Sequence, residues 1–241
     1  MGRTKDFYMV IDTETTAHRL VYDVGAVITD KKGIVHETLS AVVAEVFFGM
    51  PDEMKTAYYK EKKSLYYTKI GKLQTQVLSF FDIQQKLIQL MNKYNVKAVC
   101  AYNAKFDIDV LNNTIRYLTG YQTQYFFPQD TLIYCVWGMA CETLCRQKAY
   151  IKYSIKNEFI TPAGNMKTDA ESVYRYIIQD NVFNEEHMAL EDTYIETTIL
   201  AKCFSKHKRM SRKIIMHPWK IPQKQYRAVL KTMSNKVVIK V

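Results

Sequence analysis

Residues 7–16 read FYMVIDTETT, an apolar run that ends in two acids. The run at residues 7–11 is typical of a strand covered on both faces. Asp12 and Glu14 follow it two positions apart, so both carboxylates of a continuing strand point to the same side. Neighbouring carboxylates repel each other unless a cation lies between them. The stretch is therefore either the solvated end of a strand or half of a divalent-metal site.

The rest of the chain alternates strand and helix patterns around this first strand. Apolar runs at residues 23–29 and 34–43, separated by the turn sequence DKKG, predict a hairpin. A helix is predicted at 75–94 and a short buried strand at 96–101. Further helices are predicted at 106–118, 169–180 and 189–204. The pattern predicts a mixed sheet flanked by helices, in which ligands bind at the carboxyl ends of the strands, where the two acids lie.

The composition is typical of a folded intracellular protein. The chain has 241 residues, enough for one sizeable α/β domain, and its hydrophobic content is 48%. No apolar run approaches the ~18 residues of a membrane span, and the first ten residues lack a secretory apolar segment. The 5 cysteines are scattered and odd in number, which is typical of a reducing compartment. We expect a cytoplasmic protein without membrane contacts.

Positive charge is concentrated near the C-terminus. The net charge is +10, yet 11 Lys and Arg residues and no acid follow Phe204, so residues 1–204 carry a net charge of −1. Trp219 and Tyr226 lie among these cations. Basic and aromatic side chains together are typical of nucleic-acid contacts, although a run of like charge also promotes solubility. We expect a domain at residues 1–204 and a basic extension at 205–241, with nucleic acid as the partner.

A second candidate stretch, AYNAKFDIDVL at residues 101–111, lies where a predicted strand gives way to a helix. Asn103 can cap this helix. Asp107 lies in the first turn, where the helix dipole favours a carboxylate, and Asp109 can be explained in the same way. These local roles account for all three residues without catalysis, so the stretch is not specific by itself.

A third stretch, HMALEDTYIETTIL at residues 187–200, places an acid on an apolar helix face. Asp192 begins a stripe of apolar residues at helical spacing that continues to Cys203. An acid on such a stripe is costly unless it is paired or binds a metal. Glu191 turns about 100° away, and Glu196 lies about 40° off the stripe, which makes it the weaker candidate. A histidine just before such a helix either caps it or leans over a site.

Together these three stretches resemble the DEDDh exonuclease family of the proofreading-exonuclease (DnaQ-like) superfamily. The motifs are Asp-x-Glu on a strand, Asp after Asn-x-x-Phe at a strand–helix junction, and His-x4-Asp entering a late helix, in the family's order. VGAVI at residues 24–28 and the step Asp130–Thr131–Leu132 also resemble the family, and KTDAESVYRYI at 167–177 resembles phage-encoded members. The resemblance covers residues 7–204 and implies an α/β, ribonuclease H-like fold with a mixed five-stranded sheet flanked by helices.

The resemblance also implies the residues of an active site. The four metal-binding carboxylates and the general base are Asp12, Glu14, Asp107, Asp192 and His187. The expected substrate-binding residues are Thr13, Thr15, Asn103 and Phe106. Thr13 also acts as the spacer between the first two acids and points to the opposite face. Tyr102 stands where many members have His, and Asp109 stands at a small or variable position. Asp109 leaves two possible ligands on one helix, and we choose Asp107 because it directly follows Phe106.

The implied activity is that of a two-metal 3′–5′ exonuclease that releases nucleoside 5′-monophosphates. Hard carboxylate oxygens favour two Mg²⁺ or Mn²⁺ ions per site, and such ions stabilise both the attacking and the leaving oxygen. DNA with a single-stranded 3′ end is the favoured substrate. An RNA 3′-trimming exoribonuclease would use the same site, since no motif reads the 2′-OH. A non-catalytic nucleic-acid-binding or polymerase-associated module has no need for costly buried acids, and no motif identifies a polymerase or replication partner.

Overall fold

The structure, a computed structural model, describes residues 5–206 and 209–238. In this part of the chain the strands are β1 (Phe7–Thr15), β2 (Val21–Asp30), β3 (Val35–Val43), β4 (Gln76–Leu78), β5 (Val96–Ala101) and β6 (Ile133–Cys135). The helices are α1 (Ala44–Phe47), α2 (Pro51–Met54), α3 (Lys63–Gly71), α4 (Phe80–Tyr94), α5 (Ala104–Thr119), α6 (Val136–Ala140), α7 (Lys148–Lys156), α8 (Ala170–Ile178), α9 (Ala189–Ser205) and α10 (Lys220–Val238). The described residues also include a 3₁₀ turn at Lys60–Lys62 and a π-helical turn at Cys141–Cys145.

The strands form one mixed sheet of six in the order β4-β3-β2-β1-β5-β6. β2 pairs antiparallel with both β1 and β3, which confirms the predicted hairpin, whereas β5 runs parallel to β1 and to β6. The predicted α/β class with a mixed sheet is confirmed, and the sheet has one strand more than expected. The extra strand is β4, which pairs parallel with β3 within the segment predicted as the start of a helix.

The helix predicted at residues 75–94 begins later because a cap sets its first turn. Ser79 has an extended backbone, and its side chain accepts a hydrogen bond from the backbone N–H of Asp82 at 3.0 Å. A residue in this N-cap position cannot itself be helical. The residues before Ser79 are therefore available to pair with the edge of the sheet.

Helices cover both faces of the sheet, and alternate residues of β1 enter different cores. Met9 and Ile11 pack with α4 and α5, whereas Tyr8 and Val10 pack with α6 to α9. Side chains alternate across a strand with a period of two. The same alternation continues beyond the apolar run. The side chains of Asp12 and Glu14 therefore point toward α9, and the side chain of Thr13 points toward α5.

The start of α9 lies unusually close to β2. A Cβ atom at Gly25 would be 2.2 Å from the carbonyl carbon of Ala189 and 2.3 Å from its oxygen, so only glycine permits this approach. Asp23 accepts a hydrogen bond from the backbone N–H of Ala189 at 3.0 Å and one from the hydroxyl of Tyr66 at 2.7 Å. Asp23 and Gly25, two residues apart on one face of β2, thus hold the first turn of α9 against the sheet.

Within the predicted basic extension, α10 packs back onto the core. Tyr226 is buried among residues of the α6–α9 core. The side chain of Gln223 accepts a hydrogen bond from the Met166 N–H at 3.1 Å and donates one to the Met166 carbonyl at 3.0 Å. Lys208 and Lys240, two of the cations predicted to contact nucleic acid, lie outside the described residues. Among the described helices, none is both long and apolar enough to cross a membrane.

Candidate metal centre

A cleft of about 570 Å³ opens where β1 and β5 end, and acids dominate its polar lining. Its titratable residues are Asp12, Glu14, Asp107, Glu185, Asp192, Glu196 and His187, with Tyr58, Tyr59 and Tyr102 beside them. All five residues that the sequence assigns to catalysis therefore face one cavity. They come from β1, α5, α9 and the segment before α9, so three remote parts of the chain meet there.

Three of the carboxylates form a tight cluster. Oxygen atoms of Asp12, Glu14 and Asp192 all lie within 4.8 Å of one another. Asp107 faces the same cleft from the first turn of α5 and is 3% exposed. Thr13 donates a hydrogen bond from its hydroxyl to Oδ1 of Asp107 at 3.0 Å. Thr13 does point away from the two neighbouring acids, but it is more than a spacer, because it holds the fourth carboxylate.

The pKa values of these acids show how unfavourable the cluster is without a cation. Burial raises the pKa of Glu14 to about 9, and the nearby Asp192 carboxylate adds to the shift. Burial also raises the pKa of Asp107 and of Asp192 to about 7. The pKa of Asp12 lies well above its usual range because of burial and then the Glu196 carboxylate. A site that penalises its own negative charge favours bound cations.

The donor set fits a hard divalent ion. Oδ1 of Asp192 is buried and has no hydrogen-bond partner among the described residues, so it is available as a ligand. Carboxylate oxygens are the ligands that hard divalent cations prefer, and His187, whose ring nitrogen lies within 4.8 Å of ligand atoms of Glu185 and Asp192, adds an imidazole. All five cysteines are buried, and none lines the cleft.

His187 lies beside the carboxylates in a constrained conformation. Its φ angle is +48°, a left-handed value that costs a non-glycine residue on the order of 1 kcal/mol. Its ring stacks on Tyr59 with centroids 4.3 Å apart and planes 7° apart. Nδ1 lies 3.7 Å from Oε2 of Glu185 and 4.0 Å from Oδ2 of Asp192. Burial, followed by the charge of Lys62, lowers the pKa of His187 and favours its neutral form.

The four residues expected to bind substrate also line the cleft. Besides Thr13, these are Thr15, Asn103 and Phe106. The prediction that Asn103 caps α5 with its side chain is wrong. Asn103 occupies the N-cap position, but its exposed side chain makes no capping bond, because its backbone does not adopt the extended conformation of a side-chain cap. The amide is therefore placed at the cleft mouth rather than at the helix end.

Asp109 and Glu191, the neighbouring acids that were not chosen as metal ligands, lie outside the cluster. Asp109 forms an ion pair with Lys105 at 2.7 Å on the exposed side of α5 and does not line the cleft. Glu191 pairs with Lys69. Asp192, by contrast, is buried in the cleft, as its helical spacing predicts.

Two further acids line the cleft: Glu196, which the sequence made the weaker candidate, and Glu185, which the sequence did not indicate. Glu196 is buried and accepts a hydrogen bond from the Tyr102 N–H at 2.9 Å, and burial raises its pKa well above the usual range. Its position four residues after Asp192 places it on the same helix face, a signal that was available. Glu185 lies in an irregular segment, and burial raises its pKa to about 8. No periodicity could have identified it.

Comparison with known proteins yields structural neighbours alone. No family model and no curated protein matches the chain. Escherichia coli exonuclease I in complex with a dT13 oligonucleotide is 16% identical, with a TM-score of 0.48, over 82% of this chain and 41% of that one. The zinc-bound form of the E. coli exonuclease I–ssDNA complex is 17% identical, with a TM-score of 0.47. The match covers 80% of this chain and 39% of that one. The chain thus spans about two fifths of the length of these neighbours.

Proposed function

We propose that the protein is a metal-dependent nuclease that removes nucleoside 5′-monophosphates from the 3′ end of single-stranded DNA. The observation that carries the proposal is the cluster of Asp12, Glu14 and Asp192, whose carboxylate oxygens lie within 4.8 Å of one another in an open cleft. Asp107 and His187 line the same cleft. The types and order of these five residues resemble the DEDDh exonucleases, and this resemblance supplies the polarity and the product.

The carboxylates would hold Mg²⁺ or Mn²⁺, two per site, through Asp12, Glu14, Asp107 and Asp192. When bound, these ions supply positive charge to the attacking and leaving oxygens of a phosphodiester. His187 acts as general base, because burial keeps its imidazole neutral and able to accept a proton. Its ring lies beside Asp192, with Nδ1 4.0 Å from Oδ2, so the imidazole is placed to accept a proton from a water molecule near the carboxylates.

The remaining lining of the cleft suits an unpaired nucleotide. Phe106 and Tyr58 line the cavity, and Tyr58 is 64% exposed. Aromatic faces stack on unpaired bases whatever their sequence. The exposed amide of Asn103 can donate a hydrogen bond to a phosphate or a sugar. These contacts orient the terminal nucleotide, and they are compatible with RNA as well as DNA.

Oligonucleotides labelled at either end test this function. We expect the protein with Mg²⁺ or Mn²⁺ to release mononucleotides from the 3′ end of single-stranded DNA, and EDTA to abolish the reaction. Asp12→Asn should lower the rate on the order of a thousandfold, because it removes one ligand and several kcal/mol of transition-state stabilisation. His187→Ala should lower it on the order of 10²- to 10⁴-fold.

Asp109→Asn is the matched control, since this acid lies on the same helix as Asp107 but outside the cleft. Its rate should equal that of the unmodified protein. Full activity of Asp12→Asn, or activity that survives EDTA, would contradict the metal site. Release from the 5′ end would contradict the polarity, and faster degradation of a matched RNA would make RNA the substrate.

A further inference from the structure

Two further hollows continue from the cleft toward α10. Tyr102 and Ala170 line the cleft, and the Tyr102 hydroxyl donates a hydrogen bond to the Thr168 carbonyl at 2.5 Å. Thr168 lines the next hollow, of about 340 Å³, together with Trp137 and Trp219. Trp219 in turn lines a third hollow of about 600 Å³ along α10. Ala170 of the cleft follows Asp169 of the middle hollow, and Trp219 lines both the middle and the third hollow, so neighbouring residues line the three hollows in succession. We call this series of hollows the track.

The third hollow presents a row of cations. We define the basic stripe as Lys220, Lys224, Arg227 and Lys231, which line this hollow and are all exposed. Their spacing of four, three and four residues places them on one face of α10. No Asp or Glu follows Phe204 in the sequence, so this helix contains no acid to pair with them. The opposite face is buried through Tyr226 and Gln223.

We propose that the basic stripe and the Trp137–Trp219 hollow bind the upstream part of a single-stranded nucleic acid whose 3′ end lies in the cleft. This inference rests on the proposed function, which sets the direction of the strand. Four like charges on one helix face repel each other unless a polyanion lies along them. A nucleic-acid strand supplies regularly spaced phosphates for the cations and bases for the two indole rings.

Among the described residues that line the middle and third hollows, one is an acid, and it already has a structural role. Asp169 lines the middle hollow, but its Oδ1 accepts a hydrogen bond from the Ser172 N–H at 2.9 Å as the N-cap of α8. Trp137 is positioned by a hydrogen bond from its Nε1 to the Thr168 hydroxyl at 2.9 Å, and Trp219 lies below the Lys220 ammonium, 5.6 Å from the ring centroid. The middle hollow thus offers aromatic surface, and its carboxylate is engaged as a helix cap.

The dimensions predict which substrates reach the stripe. The distance from Lys220 to Lys231 along a helix is about 16 Å at ~1.5 Å per residue. Adjacent phosphates of one strand lie farther apart than the ~3.4 Å rise per nucleotide, so the stripe can contact fewer than five of them. A dinucleotide that fills the cleft does not extend to α10. The stripe should therefore affect long substrates and leave the shortest ones unchanged.

Binding of a 20-nucleotide single-stranded DNA and of a dinucleotide, measured by fluorescence anisotropy in EDTA over a range of salt concentrations, tests the proposal on the full chain. The variant is K224Q/R227Q. Each lost phosphate contact should reduce the slope of log affinity against log salt by ~0.7, so the double variant should lose about 1.4. This corresponds to roughly 25-fold weaker binding of the 20-mer at ~0.1 M salt. Dinucleotide binding and its hydrolysis with Mg²⁺ should not change.

The control variant is K32Q/K72Q, which removes two exposed lysines that line none of the three hollows. An unchanged slope in K224Q/R227Q would overturn the proposal, as would an equal loss of dinucleotide binding. Tighter binding of polyglutamate than of the 20-mer would overturn it in favour of an acidic protein partner. A reduced slope in a protein that hydrolyses no substrate would support the stripe while contradicting the proposed activity.

Discussion

At the scale of single residues, Asp107 shows how neighbouring side chains select one acid of a pair. Asp107 is buried in the cleft and accepts a hydrogen bond from Thr13, whereas Asp109 faces solvent beside Lys105. Residues two positions apart on a helix are separated by a rotation of about 200°, so the two acids cannot share a face. Thr13 therefore has two effects: it separates Asp12 from Glu14, and it orients the carboxylate that arrives from α5.

Thr13→Val should weaken metal binding without disturbing the fold. Valine keeps the shape of the side chain but cannot donate to Asp107, and a hydrogen bond to a charged group contributes about 1.5–3 kcal/mol. The hydrogen bond from Thr13 lowers the pKa of Asp107, so the loss of this bond should raise that pKa further. A larger fraction of the Asp107 carboxylate would then be protonated near pH 7 and unable to bind a metal. Titration calorimetry with Mn²⁺ should show affinity reduced on the order of tenfold or more.

Thr13→Ser is the matched variant, because it retains the hydroxyl, and it should bind Mn²⁺ like the unmodified protein. Equal affinity in Thr13→Val and Thr13→Ser would show that the hydroxyl does not prepare Asp107 for a metal.

At the scale of elements, the position of α9 depends on its contact with β2. Asp192 lies in the first turn of α9, so any displacement of this turn moves a proposed ligand. Gly25 permits the close approach, and Asp23 anchors the first N–H of the helix. The VGAVI sequence therefore has a physical role in the cleft, since the glycine of β2 determines where the carboxylate of α9 can lie.

Gly25→Ala should damage both stability and activity. The added methyl group would lie 2.2 Å from backbone carbon of Ala189, and backbone cannot move aside as a flexible side chain can. Overpacking of this kind costs about 1–3 kcal/mol or more, so thermal unfolding should begin several degrees lower, and nuclease activity should fall with it. Calorimetry and the 3′-end assay measure the two effects.

Gly71→Ala serves as the comparison, because a Cβ at this position meets nothing within 4 Å at the end of α3. Alanine there should leave stability equal or raise it by up to ~1 kcal/mol. If both alanine variants behaved alike, close packing of α9 on β2 would not be the reason for the glycine.

At the scale of the whole molecule, opposite charges are separated between two regions. The cleft gathers buried acids whose pKa values are raised, and α10 presents the basic stripe. The acids favour cations, and the stripe favours phosphates, so both regions suit a polyanion that arrives together with divalent ions. The predicted boundary between residues 1–204 and 205–241 remains a proposal, and the packing of Tyr226 ties α10 to the core.

The buried acids make a specific prediction for stability against pH. Glu14, with a pKa of about 9, and Asp107 and Asp192, each at about 7, hold protons in the folded protein that they lose near pH 4 when unfolded. Stability falls with rising pH wherever the folded state binds more protons. In EDTA, the melting temperature should therefore decrease steadily from about pH 5 to pH 9. Saturating Mg²⁺ should oppose the decrease by binding the folded state.

Asp12→Asn provides the internal comparison. Removing one buried charge should make this variant more stable than the unmodified protein in EDTA near pH 8, and Mg²⁺ should stabilise it less. A melting temperature that is independent of pH in EDTA would mean that the cluster carries no electrostatic penalty.

The sequence alone determined the features that depend on local periodicity. Alternation along β1, helical spacing from Asp192 to Cys203 and the hairpin turn at DKKG are properties of a few neighbouring residues, and the structure contains each of them. The order of the motifs also identified five residues that line one cleft. Backbone geometry is the reason, because periods of 2.0 and 3.6 residues specify which side chains share a face.

Only the tertiary structure decided which remote groups meet. The stacking of His187 on Tyr59, the inclusion of Glu185 in the cleft and the contact of Thr13 with Asp107 join residues of different elements and loops. The pairing of β4 and the track from Trp137 to Trp219 are of the same kind. Such contacts depend on how whole elements pack, and no periodic pattern in the sequence encodes them.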